Sequence, residues 1–148
     1  MEVIVVSGTP GTGKTTYSKQ LCQKNKYMYL DVKKLLSKDV VEVYDKKRDT
    51  KIVDIDKLNK KLIAIIKKEQ KKAIKGIVID SHLGHYIPRK YVNKVVITKC
   101  SLPELKKRLE ERKYSEEKVK ENMESEIFDV CRIEALEFGH DVETVDTD

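Results

Sequence analysis

A chain of 148 residues is long enough for one compact domain around a single buried core. With 39% hydrophobic and 38% charged residues it is too apolar for a disordered tail and too charged for a membrane protein. No run approaches the roughly 18 consecutive apolar residues that cross a bilayer, and the 31 basic residues exceed the 25 acidic ones.

Val3 to Val6 is a short β-branched run that ends at Ser7-Gly8, the pattern of a buried strand feeding a loop. The start MEVIVVSG has no basic stretch before its apolar run, so it does not read as a signal peptide, and a cytosolic location is expected. A helix is expected from Lys14 to about Asn25 and a second strand from Tyr27 to Leu30. The charged segment from Asp31 to Thr50 reads as a short helix and a loop. Leu58, Leu62, Ile65, Ile66 and Ala73 recur at helical spacing, so a helix is expected from Asp56 to about Ile74 with Gly76 as its stop. Ile77-Val78-Ile79 is the next buried strand, closed by Asp80, and Lys94 to Lys99 is another. Ser101 caps a helix that runs to about Arg112, with Pro103 and Glu104 in its first turn. Ser115 caps a longer helix that Gly139 ends, and Val142 to Val145 is a fifth strand. Strands alternating with helices predict an α/β domain over 1–148, a parallel sheet covered on both faces. Cys22, Cys100 and Cys131 form no CxxC pair and read as buried small hydrophobes in a reducing compartment.

Gly8-Thr9-Pro10-Gly11-Thr12-Gly13-Lys14-Thr15 satisfies GxxxxGK[ST] between a predicted strand and a predicted helix, the context that marks a phosphate-binding loop. Gly11 and Gly13 let the backbone wrap an anion with its N–H groups pointing inward, at the positive end of the following helix. Lys14 supplies a mobile point charge to the β- and γ-phosphates, Thr15 a hydroxyl for Mg²⁺, and Thr16 a contact to the α-phosphate. The expected ligand is ATP with Mg²⁺, in a P-loop NTPase fold. Asp80 is the acid such a loop requires for the metal; the alternative is a cap after the strand. His82 shares the face of Asp80 if the strand continues and could orient a water or a phosphate. A transition-metal site from Asp80, His82 and His85 is disfavoured, and His85 reads as a packing or surface histidine. Arg108 and Arg112 are four apart on one helix face. They either compensate the macrodipole or clamp phosphates, and the residues alone leave both open.

Residues 33–75 hold 15 Lys and Arg against 7 Asp and Glu; residues 114–148 hold 3 against 12. Solvated helix faces account for most such segregation. The sharper reading is a basic lobe for phosphates or RNA and an acidic face for a basic partner.

GTPGTGKTT, the DxH element Asp80-Ser81-His82 and RLEERKYSEEKVKENMESEIF from Arg108 to Phe128 together resemble the adenylate kinase isoenzyme six group, small adenylate kinase-like proteins of archaea and the eukaryotic nucleus. The resemblance covers nearly the whole chain. It implies five strands in the order 2-3-1-4-5, a monophosphate-binding region near 31–54 and a short lid near 111–121. It makes Arg112 a phosphate-binding lid arginine and leaves Arg108 a candidate nucleotide contact. Lys33 and Arg48 are candidate monophosphate contacts. It also implies AMP phosphorylation, an ATPase, and a role in late small-subunit ribosome maturation and rRNA processing on pre-30S or pre-40S particles. The implied partner is ribosomal protein eleven of the small subunit, with a cytoplasmic location, or a nuclear one in a eukaryote. Lys113 departs from a pattern that usually has Gly, and relatives carry a further helix after the segment 142–147. An assembly ATPase with little kinase activity, or another small-molecule P-loop kinase, is the alternative. A GTPase is disfavoured because NKxD is absent, and an ABC-type ATPase because no LSGGQ-like segment occurs. Nothing points to sequence-specific DNA binding or a membrane.

Overall fold

The computed structural model describes residues 1–36, 40–45 and 50–148. Five strands form a parallel sheet: β1 (Glu2–Ser7), β2 (Met28–Asp31), β5 (Gly76–Asp80), β6 (Lys94–Lys99) and β7 (Val142–Asp146). Their spatial order is β2-β5-β1-β6-β7, which is the expected 2-3-1-4-5 when only these strands are counted. β1 lies at the centre, with Val5 opposite both Ile79 and Val95.

The period of two in the strands sorts the core into two layers. Val3, Val5, Ile77, Ile79, Val95 and Ile97 face one side. There they meet Leu58, Leu62 and Ile66 of α2 (Ile55–Gln70) and Ala135 of α5 (Val130–Glu137). Ile4, Val6, Val78 and Val96 face the other side, against Cys22, Tyr17 and Leu21 of α1 (Lys14–Asn25). Each fully buried Leu or Ile contributes about 1.5–3 kcal/mol, so the sheet is fixed from both faces. A third cluster joins Leu105 and Leu109 of α3 (Leu102–Glu111) to Val119 and Met123 of α4 (Glu116–Ile127).

Several boundaries differ from the expectations. Between β2 and α2 the expected short helix is a 3₁₀ helix at Val32–Leu35, but an antiparallel hairpin of β3 (Val41–Asp45) and β4 (Thr50–Val53) follows it in place of the expected loop. The β-branched residues Val41, Val43, Thr50, Ile52 and Val53 favour strands, a signal the dense charge of this segment conceals. Arg48 lies outside the described residues. Helix α2 begins at an Asp54 cap, whose carboxylate accepts from Lys57 N at 3.1 Å, and it ends at Gln70. Gly76 is therefore not its stop. It opens β5, where a Cβ would lie 2.9 Å from Glu2 O, so close strand packing demands the glycine. The single helix expected after Ser115 is broken into α4 and α5 at Asp129, whose φ is +55°. Asp129 is held there by Lys99 Nζ at 2.7 Å and by Arg132. Gly139 does end α5, with Gly139 N donating to Leu136 O and His140 N to Ala135 O. The three cysteines are free; Cys22 and Cys100 are buried and Cys131 is half-buried. Among the described residues no helix is long and apolar enough to cross a membrane.

Candidate functional site

β1 delivers the chain to the phosphate loop at the carboxyl edge of the sheet. Gly8 turns away from the strand at φ +139°, and a Cβ there would lie 2.7 Å from Thr98 O. Gly11, at φ +96°, lies so close to Leu105 and Leu109 that a Cβ would stand 3.0 Å from a Leu105 methyl. The loop is braced from behind. Thr12 Oγ1 donates to Thr9 O at 2.6 Å and sits 2.8 Å from Thr98 Oγ1. Thr9 Oγ1 donates to Glu126 Oε1 at 3.1 Å, and Glu126 Oε2 accepts from Cys100 N at 3.2 Å. α1 then starts at Gly13 with no side-chain cap and no acid in its first turn, which leaves its positive end open to an anion.

Lys14 is buried, and its ammonium donates to Gly8 O at 3.1 Å and Thr9 O at 3.2 Å. Burial pushes its pKa down to about 8; Lys33 and Arg112 push the same way, while Cys131 and Asp80 oppose. A polyanion would relieve that strain by restoring the charge. Thr15 Oγ1 donates to Asp80 Oδ2 at 2.7 Å, and Tyr29 O–H donates to the same oxygen at 2.8 Å. Burial first, and then the bond to Asp80, push the Tyr29 hydroxyl far above its ordinary value, so it stays a donor. Thr15 and Asp80 thus offer adjacent hard oxygens at the cleft floor, a donor set that fits a small divalent cation rather than a soft one. Asp80, His82 and His85 do not form a metal cluster: among the described residues no group of three or more His, Cys, Asp or Glu is arranged to hold one.

These groups open into a cleft of about 660 Å³. Gly11, Gly13, Lys14, Thr15, Thr16, Asp80, His82 and Arg112 all line it, as does Lys33 at the 3₁₀ turn. His82 is reached by water at the cleft mouth, yet the walls and then the charge of Lys14 hold its imidazole well below its ordinary pKa, so it is neutral. Arg112 stands at the end of α3 with its guanidinium near Tyr114, 3.4 Å from the hydroxyl. Arg108 goes elsewhere. It donates to Gly11 O at 3.3 Å, to Thr147 O at 2.8 Å and to Glu104 at 3.1 Å, behind the loop rather than in the cleft. Helix period places the two arginines on one face, and of the two it is Arg112 that lines the cleft while Arg108 braces the loop from behind. Lys113 has φ +59°, the left-handed conformation that favours glycine.

Sequence reasoning missed Tyr29, Glu126, Glu134 and the role of His85. His85 is only 1% exposed, with Nδ1 2.8 Å from Ser7 Oγ and Nε2 3.5 Å from Glu134 Oε1. Glu126 falls in the MESEI stretch already singled out, but nothing in a run of acids marks it as the buried one.

Comparison with known proteins agrees with this geometry. A family model described as an AAA domain matches residues 4–129. A protein of Methanosarcina acetivorans named "Putative adenylate kinase" is 38% identical over 147 residues, covering 98% of this chain and 77% of that protein. One of the same name from Methanocaldococcus jannaschii is 33% identical over 146 residues, covering 98% and 78%. In fold, a sugar kinase from a Janibacter species superposes with a TM-score of 0.69 at 15% identity over 99% of this chain and 85% of that one. Shikimate kinase of Acinetobacter baumannii superposes with a TM-score of 0.61 at 12% identity over 100% and 84%. Identical at 33–38% of positions to these archaeal proteins over nearly its whole length, and matching a P-loop domain model over most of it, the chain belongs to their P-loop kinase family.

Proposed function

We propose that this chain is a nucleoside monophosphate kinase that transfers the γ-phosphoryl group of ATP to AMP. The observation that carries the reading is one cleft in which the phosphate loop, the Thr15–Asp80 oxygen pair, Lys33 and Arg112 converge. Phosphoryl transfer needs positioning and charge stabilisation more than covalent chemistry, and these groups supply both. The loop N–H groups and Lys14 hold the β- and γ-phosphates, and Thr16 reaches the α-phosphate. Mg²⁺ at Thr15 and Asp80 would neutralise phosphate oxygens. Arg112 acts from the lid segment 111–121, and Lys33 belongs to the acceptor region 31–54. The names of the archaeal relatives support the acceptor, and the free cysteines support a reducing, cytoplasmic setting.

The test is diphosphate formation from ATP and Mg²⁺ with and without AMP. AMP should raise it well above ATP hydrolysis alone. Lys14→Ala should lower it by roughly 10²-fold or more while leaving the fold intact. No extra diphosphate with any monophosphate would refute the kinase.

An assembly ATPase is the second reading, supported by the neutral His82 beside Lys14, where an imidazole could align water. Docking of ribosomal protein eleven during small-subunit maturation would suit the acidic 114–148 stretch, which also exposes Ile127, Phe128, Ile133 and Phe138. Pull-down with that protein at two salt concentrations tests it, and absence of salt-sensitive binding would refute it.

A further inference from the structure

The cleft contains a carboxylate that phosphate binding does not explain. Glu134, on α5, has its side chain 29% exposed and lines the same cleft as Lys14. A fixed anion there repels phosphates, so it is tolerated only if it faces a part of the substrate that donates hydrogen bonds. The protein fixes it firmly. Tyr86 O–H donates to Oε2, and His85 Nε2 stands 3.5 Å from Oε1. Burial favours a neutral His85, and in the tautomer with its proton on Nε2 that N–H aims at Glu134 while Nδ1, 2.8 Å from Ser7 Oγ, accepts from the hydroxyl. That Nε2 is buried and makes no hydrogen bond of ordinary length. His140 Nε2, 2.9 Å from His85 O, fixes the turn that carries both residues. Val130, one helical turn before Glu134, and Leu83 give the cleft apolar surface suited to a flat ring.

We propose that Glu134 reads the acceptor base, accepting a hydrogen bond from an exocyclic amine, so that amino bases are selected over oxo bases. This rests on the kinase reading for its substrate, since it places the base of the monophosphate against α5. An oxo group at the same place would set an oxygen lone pair against the carboxylate and leave it unpaired in a walled cleft. Tyr86 and His85 are positioning residues that hold the carboxylate in one rotamer.

The experiment compares AMP, inosine 5′-monophosphate and 2′-deoxy-AMP as acceptors, with binding measured in parallel by calorimetry. Inosine monophosphate carries an oxo group in place of the amine and an N1–H in place of the bare ring nitrogen beside it. The wild type should favour AMP over it by at least about tenfold in kcat/KM, the worth of one charge-assisted hydrogen bond, with the difference in KM. Glu134→Gln, whose amide can donate or accept, should bring that ratio close to one. Tyr86→Phe, which removes one hydroxyl, should lower the ratio partway and decides the matter if the Gln variant does not fold. An unchanged ratio in both variants overturns the proposal. So does a loss on 2′-deoxy-AMP with no loss on inosine monophosphate, because the carboxylate would then face the ribose. A protein that binds AMP over inosine monophosphate without phosphorylating it upholds the base assignment and overturns the kinase. Phosphorylation without preference does the reverse.

Discussion

Glu126→Ala tests how the phosphate loop is supported. The carboxylate is 7% exposed and accepts from Thr9 Oγ1 at 3.1 Å and Cys100 N at 3.2 Å. It also meets Lys99 Nζ at 3.4 Å, but that ammonium is partly exposed and keeps Asp129 at 2.7 Å, so it would not be stranded. Each hydrogen bond to a charged group is worth about 1.5–3 kcal/mol, and the orphaned Cys100 N–H adds to the loss. Release of the carboxylate from its desolvation offsets part of this, so the net cost should be about 3 kcal/mol. For a chain of this size that corresponds to roughly 6–12 °C in Tm. Thermal unfolding followed by circular dichroism reads it directly, and nucleotide titration should show weaker ATP binding because Thr9 keeps only its longer bond to Ser125 Oγ at 3.3 Å. A Tm within about 2 °C of wild type would refute the reasoning.

Lys113→Gly should raise stability by about 0.5–1 kcal/mol, because φ +59° costs a lysine more than the added freedom of the unfolded chain returns; a lower Tm would count against the left-handed turn. The pKa of Lys14 is about 8 when folded and about 10.4 when unfolded, so between these values the unfolded chain binds the extra proton and nucleotide-free stability should rise with pH. ATP binding restores that charge. Calorimetry at pH 8 in buffers of different ionisation enthalpy should therefore show proton uptake that is absent at pH 6.5 and in Lys14→Ala. His82→Ala should depress ATP hydrolysis more than AMP phosphorylation, since water needs alignment that a bound acceptor does not; equal losses in the two assays would refute this division.

The phosphate loop was legible because its demands are local: glycines at fixed offsets, a lysine, a hydroxyl and a flanking strand and helix. The sheet was legible because Val3–Val6, Ile77–Ile79 and Val95–Ile97 are apolar on both faces. Arg108 and Arg112 could not be separated by period, because what distinguishes them is Thr147, 39 residues beyond Arg108. The break at Asp129 depends on Lys99, 30 residues earlier, so no local signal announces it. Glu126 and Glu134 stand among 12 acids of the 114–148 stretch, and a carboxylate's function is invisible until tertiary structure decides which ones leave the solvent.

Thr147 ties the far end of β7 into the phosphate loop. Its hydroxyl donates to Thr12 O at 2.6 Å across 135 residues, and its N–H donates to Lys99 O at 2.8 Å. During synthesis the glycine loop emerges first, yet this support arrives only after residue 147 has left the ribosome. At ordinary elongation rates that interval is on the order of ten seconds. For that time the nascent chain displays a lysine-bearing loop without its foundation, beside a sheet edge that β7 has yet to cover. Nucleotide capture should therefore be a late event in the birth of this protein, and early ribosome-bound fragments should fail to retain ATP even when α1 is already formed.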